Sequence, residues 1–312
     1  MKYNILVTGG AGYLGSTLVP ELLAMGHKVT VADNFMYNQN SLAHVCHYPN
    51  FEVVRGDVRI EDVMLPLLRK ADIIIPLAAY VGAPLCARDP IGATSTNHDA
   101  LMMMLKKVSQ QQRILMPTTN SAYGSGDENN FCTEESPLRP MSLYAIEKVK
   151  VEKELMSHPN AISFRLATVF GMSPRMRIDL LVNDFTYRAV HDRFVVLFEG
   201  SFKRNYIHVR DVTRAFIHGI ENHENMTGQV YNVGLSDANV SKKELCEAIQ
   251  QRIPDFTFVE APIGKDPDQR NYVVSNAKIE GTGFKPAYSL DFGVQELIKG
   301  YTMIRNTRYG NV

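Results

Sequence analysis

The 312-residue chain has little of what would mark it for a membrane, an oxidising compartment or a polyanion. Its longest uncharged apolar run, residues 73–87, contains Pro76, Gly82 and Pro84 and is shorter than the ~20 residues a spanning helix needs. No leader pattern precedes the first apolar stretch, Ile5-Leu6-Val7, so a cytoplasmic protein is expected. The 4 cysteines, Cys46, Cys86, Cys132 and Cys246, are far apart and form no Cys-x-x-Cys, which argues against a disulfide framework or a zinc ribbon. His44, Cys46 and His47 lie close together but have no evident fourth ligand, so no metal is expected. With 33 basic and 33 acidic residues the net charge is zero, and nothing draws the surface as a whole toward nucleic acid or anionic lipid. An anionic ligand would have to be held by a few placed charges.

What the chain does have is alternation. Apolar, β-branched runs at residues 5–8, 29–32, 51–54, 73–77, 114–118 and 162–168 are separated by stretches of helical period. Strands apolar on both faces with helices between them predict a doubly wound parallel sheet, an α/β fold of Rossmann type. The first helix is the plainest: Leu14, Leu18, Val19, Leu22 and Leu23 share one face and Gly26 stands at the C-terminal cap. Beyond residue 171 the alternation lapses, then strand-like runs return at residues 206–209 and 229–233. The expected division is a dinucleotide-binding domain of residues 1–171 and 205–234, and a smaller α/β lobe of residues 172–204 and 235–312. The length allows about two domains. No internal repeat is visible.

Gly9, Gly12 and Gly15 form G-x-x-G-x-x-G between the first strand and that helix. Glycines there let the backbone approach a pyrophosphate, and the helix start offers free N–H groups and the positive end of a dipole. Asp33 closes the second strand, where a carboxylate would accept the hydroxyls of an adenosine ribose or else cap a turn. No basic residue follows in Asn34-Phe35-Met36-Tyr37 to receive a 2′-phosphate, so NAD is favoured over NADP. Asp57, after the third strand, suits either an adenine contact or a turn. Further on, Tyr144 and Lys148 stand four apart, on one helix face. A phenol titrates near 10, and lowering that by about 3 takes roughly 4 kcal/mol of preferential phenolate stabilisation, which an adjacent ammonium and a cationic nicotinamide could supply.

Taken together, Gly9 to Gly15, Asp33-Asn34, Gly56-Asp57-Val58, Leu77-Ala78-Ala79, Asn97, Thr119 four residues before Tyr123-Gly124, Tyr144 with Lys148, and residues 204–212 resemble the extended short-chain dehydrogenase/reductases, specifically their nucleotide-sugar epimerase and dehydratase group, over essentially the whole chain. The resemblance implies a cofactor site of Gly9, Gly12, Tyr13, Leu14, Gly15, Asp33, Asn34, Asp57, Val58, Leu77, Ala78, Ala79 and Asn97, with Tyr144 and Lys148 completing it at the nicotinamide end. It implies that Tyr144 is the base for a sugar hydroxyl, that Lys148 binds the nicotinamide ribose and lowers the tyrosine, and that Thr119 orients the hydroxyl.

It further implies a nucleotide-diphosphate sugar as substrate, contacted by Asn120, Ser121, Asn183, Arg204 and Arg270. Arg204 and Arg270 are the best candidates for the diphosphate, because an arginine fork suits phosphate. Arg175 and Arg177 reach the sugar or lie in a solvated linker. A homodimer or higher oligomer, paired through helices at residues 97–108 and 144–156, is also implied.

The departures from the family choose among reactions. Asn120-Ser121 stand where similar 4,6-dehydratases carry an acid pair, similar decarboxylases a Glu and 3,5-epimerases a Cys, and neither an amide nor a hydroxyl titrates near neutrality. What remains is oxidation of a sugar hydroxyl at C4 or epimerisation at that carbon. The stretches at residues 75–86, 119–121 and 170–177 look like a subgroup that oxidises GDP-linked manno-heptoses at C4 in surface-polysaccharide synthesis, with Pro76 replacing the family's usual His or Phe and Glu147 its usual Ser. The alternatives are a 4-epimerase and, outside enzymes, an NAD-binding sensor or scaffold.

Overall fold

The computed structural model describes residues 1–124, 131–264 and 270–305. Seven parallel strands form the central sheet: β1 (Asn4–Thr8), β2 (Lys28–Asp33), β3 (Phe51–Arg55), β4 (Ile73–Pro76), β5 (Arg113–Thr119), β6 (Ala161–Leu166) and β7 (Gln229–Val233). Their order is β7-β6-β5-β4-β1-β2-β3. The two-residue period of the strands divides the core. Ile5, Val7, Ile73 and Ile75 pack on one face with Leu18, Val19, Leu22 and Phe216, while Leu6 and Ile74 face Met64, Leu68, Leu101, Met104 and Val151 on the other. This two-sided burial is what makes the strands read as continuous apolar runs.

The chain leaves β1 toward β2 and β3, then returns to lay β4 on the opposite side of β1. Strand order reverses there, and the carboxyl ends of β1 and β4 diverge into a crevice, the place where open α/β sheets bind ligands. The helix Gly15–Ala24 starts at this crevice and ends at Gly26, whose φ of +82° suits a residue without a Cβ.

A second core, that of the second lobe, gathers Phe170, Val182, Phe185, Tyr206, Leu245, Phe256, Leu297 and Tyr301, whereas Ile279 and Phe284 pack into the core of the main sheet. One expectation is corrected here. The apolar run at residues 206–209 does not rejoin the main sheet as part of a returning segment: strand Lys203–His208 pairs with Thr168–Phe170 and Asn239–Ser241 in a separate three-stranded sheet, and only β7 completes the seven. Likewise the run at residues 162–168 divides between β6 and Thr168–Phe170. A period of two marks a strand but does not name the sheet that receives it.

Among the described residues, no helix is long and apolar enough to cross a membrane.

Candidate active site

The crevice is one continuous cleft lined by the glycine turn, the ends of β2 and β4, residues 117–119 of β5, Tyr144 and Lys148, and Arg175, Arg177 and Arg270 of the second lobe. At its cofactor end the chain has no room for side chains. A Cβ on Gly9, whose φ is +65°, would lie 2.5 Å from the Ala78 nitrogen, and one on Gly15 would lie 2.4 Å from the Gly10 oxygen. The first turn of the helix Gly15–Ala24 has no acidic residue and no side-chain cap, which leaves the positive end of its dipole uncompensated by its own side chains. Asp33 accepts the N–H groups of Ala11 (3.0 Å) and Phe35 (2.8 Å) and also lines the cleft, so turn formation and a place at the ribose are combined in one carboxylate. Its burial raises its pKa, and these two N–H groups oppose the rise. Tyr13, Leu14, Asn34, Val58, Leu77, Ala78 and Ala79 line the same half. Asp57 lines it too, but its carboxylate is gripped by Arg59, with Nε at 2.9 Å and Nη2 at 2.5 Å.

The helix Leu143–Leu155 carries Tyr144 and Lys148. Ser142 caps it by accepting the Ala145 N–H at 3.3 Å. A buried ion pair fixes its approach to the sheet: Glu152 meets Arg165 of β6 at 2.6 Å and accepts the hydroxyls of Thr118 and Ser163, each at 2.7 Å. One turn earlier, Lys148 is buried and donates to the carbonyl of Pro117 at 3.3 Å. Burial pushes the Lys148 ammonium down to about 8, against the pull of Cys86 and Glu147. Burial pushes the Tyr144 phenol up to about 12; Cys86 adds to the rise, while Arg177 and Arg270 oppose it. The chain's own groups thus hold Tyr144 as a phenol at neutral pH, and a further positive charge beside it is what would make it a base.

Thr119, at the end of β5, donates its hydroxyl to Ser121 Oγ at 3.0 Å and accepts the Ser121 N–H at 3.1 Å. Arg270 also donates to Ser121 Oγ. Asp268 and Gln269, which precede Arg270 in its motif, lie outside the described residues.

Four residues expected at the cofactor or the substrate do not line the cleft. Asn97, fully buried in a π-helical turn (Ser95–Asp99), accepts the Tyr80 N–H at 2.7 Å and donates to the Tyr80 carbonyl at 2.9 Å, so it holds the loop after β4 from behind. Asn183 accepts the Gly171 N–H at 3.0 Å and donates to the Arg177 carbonyl at 2.8 Å, fixing the crossing between lobes. Asn120 is fully buried behind the wall that Ser121 lines. Arg204 is buried on strand Lys203–His208, close enough to Arg270 for the two charges to repel. Arg175 does line the cleft: its guanidinium covers the Tyr37 ring at 4.5 Å, within reach of the charges of Arg177, Asp179 and Asp33. Arg59 and Tyr80 also line the cleft and were missed. No spacing pattern signals them, and only the direction of the Asp57-Val58-Arg59 turn brings Arg59 in.

Residues 5–234 match the NAD dependent epimerase/dehydratase family, and the chain belongs to it. It is 28% identical to the low-salt glycan biosynthesis protein Agl12 of Haloferax volcanii, over 96% of this chain and 98% of that one. It is 25% identical to a UDP-N-acetyl-alpha-D-glucosaminuronate decarboxylase of Bacillus cytotoxicus, over 98% and 100%. The UDP-glucose 4-epimerase of Thermus thermophilus in complex with NAD superposes with a TM-score of 0.82 at 23% identity, over 96% of this chain and 99% of that one. The family is NAD-dependent and acts on nucleotide sugars, and the glycine cradle, Asp33 and the open helix start fit that cofactor.

Proposed function

We propose that the protein is an NAD-dependent dehydrogenase that oxidises the C4 hydroxyl of a nucleotide-linked sugar to a 4-keto sugar. The observation that carries this reading is the chemistry of the cleft wall. Among the described residues, its only carboxylates are Asp33 and Asp57, both at the adenosine end, while Thr119, Tyr144 and Lys148 gather around the other. Elimination or decarboxylation assisted by a carboxylate has no candidate group beside the sugar, whereas oxidation needs none.

In this reading Thr119 and Ser121 orient the C4 hydroxyl and Tyr144 takes its proton. Lys148 holds the nicotinamide ribose and, as an ammonium, favours the phenolate. NAD, when bound, supplies the hydride acceptor. Arg270, beside Ser121 and Tyr144, and Arg177, held by Asp179 at 2.9 Å, would supply positive charge for the diphosphate or sugar.

The sugar we propose is a GDP-linked manno-heptose, which would make the protein a GDP-D-glycero-α-D-manno-heptose 4-dehydrogenase of capsule or lipopolysaccharide synthesis. Support for this comes from the subgroup resemblance of residues 75–86, 119–121 and 170–177. A homodimer is proposed with it.

A 4-epimerase would use the same residues, and the 25% identity to the Thermotoga maritima UDP-glucose 4-epimerase, with a TM-score of 0.82, favours keeping that reading as the second. Incubation with a panel of GDP-, UDP-, CDP- and dTDP-sugars, scored by mass spectrometry and reduced-cofactor absorbance, separates them. The dehydrogenase gives a product two mass units lighter and accumulates NADH. An epimer formed without net NADH overturns the oxidation, and tight NAD binding with no turnover on any sugar would leave a sensor.

A further inference from the structure

Between Tyr144 and Lys148 on their helix lies a carboxylate that the chemistry above does not use. Glu147 is only 3% exposed and does not line the cleft. One of its oxygens, Oε1, accepts the hydroxyl of Thr94, the last residue of the helix Pro90–Thr94. The other, Oε2, is buried with no hydrogen-bond partner among the described residues. A desolvated carboxylate oxygen is costly unless an opposite charge compensates it. The adjacent Lys148 is equally buried, donates a single described hydrogen bond, to Pro117, and feels the charge of Glu147.

The other groups around Lys148 cannot serve as its counter-charge. Cys86, from the helix Ala83–Arg88, is pushed up to about 11 by burial and stays a neutral thiol. Tyr144 is a neutral phenol. Glu152, one turn on, is committed to Arg165. From the second lobe, Arg177 and Arg270 face Tyr144 with charge of the same sign as the lysine. An oxidised nicotinamide would add one more positive charge.

We infer that Glu147 is a positioning residue for Lys148: its carboxylate is the counter-charge that keeps the buried lysine an ammonium at the wall of the cleft while a cationic cofactor is bound. The inference rests on the reading of Lys148 as the partner of Tyr144 and the cofactor, and does not depend on which sugar is oxidised. Glu147 acts through the lysine and touches neither substrate nor cofactor.

The test is a direct titration by NMR of protein labelled at the lysine side chains, with the Lys148 signal assigned by its loss in Lys148→Met. Glu147→Gln removes the charge but keeps an oxygen for Thr94 and the same volume, so a purely structural role would survive it. The expected result is a Lys148 midpoint about one pH unit lower in Glu147→Gln, with and without NAD. The alkaline limb of any turnover profile should move the same way. Thr94→Val, which keeps the charge and removes the hydroxyl, should leave the midpoint near that of the unaltered protein. An unchanged midpoint in a folded Glu147→Gln protein overturns the inference, as does a fall in Thr94→Val as large as in the glutamine variant. If the glutamine variant does not fold, Glu147→Ser carries the same expectation. Because the titration needs no sugar, a shifted midpoint in a protein inactive on every sugar would keep this inference and remove the proposed oxidation.

Discussion

The two ends of the cleft are built from different materials. The cofactor end is mostly backbone: glycines with no space for a Cβ, an uncapped helix start, and a carboxylate braced by two N–H groups. The end proposed for the substrate is made of side chains whose charges arrive from distant parts of the chain, Arg177 and Arg270 together with Thr119, Ser121 and Tyr144. A backbone cradle reads what all dinucleotides share and tolerates almost no substitution. A side-chain wall can be rewritten residue by residue, which is how one family comes to include decarboxylases and epimerases among this chain's relatives.

The sharpest way to divide the two ends is at their junction. Tyr144→Phe should lower turnover by about 10²–10⁴-fold, the usual worth of a positioned acid–base group, while NADH affinity, read by fluorescence, stays within a few-fold of the unaltered protein. A variant that keeps its turnover would remove the proton-transfer role of Tyr144. On the cofactor side, Gly9→Ala forces a Cβ against the Ala78 backbone at a φ of +65°. Its expected cost is about 1–3 kcal/mol of stability together with loss of NAD binding, checked by thermal denaturation and by cofactor titration. On the substrate side, Arg270→Ala should raise KM for the nucleotide sugar by about tenfold to a hundredfold, the worth of one charge-assisted hydrogen bond, and leave NAD affinity alone. If NAD affinity fell with it, the two ends would not be separable in the way described.

The glycine turn, Asp33 and the Tyr144–Lys148 pair were legible because their signals are local. Gly9, Gly12 and Gly15 act within one turn, Asp33 ends a strand that begins five residues earlier, and Tyr144 and Lys148 share a helix face by spacing alone. The asparagines were not. Asn97 and Asn183 occur where a contact with cofactor or phosphate was expected, yet each has its amide committed to the backbone of an earlier loop, Tyr80 in one case and Gly171 with Arg177 in the other. A carboxamide both donates and accepts, so it serves as readily to brace a loop as to bind a ligand, and sequence alone does not distinguish the two.

From the sequence alone came the alternating α/β order, the NAD-type glycine turn, the Tyr144–Lys148 pair and the absence of an acid pair after Thr119, since each depends on residue type and short-range spacing. Only the tertiary structure decided that Arg175 covers Tyr37, that Arg270 reaches Ser121, that residues 203–208 join the smaller sheet, and that Glu147 is buried beside Lys148. Electrostatic and packing energies depend on separation in space, and for Arg175 with Tyr37 or Arg270 with Ser121, far apart in sequence, that separation is set by how the whole chain closes.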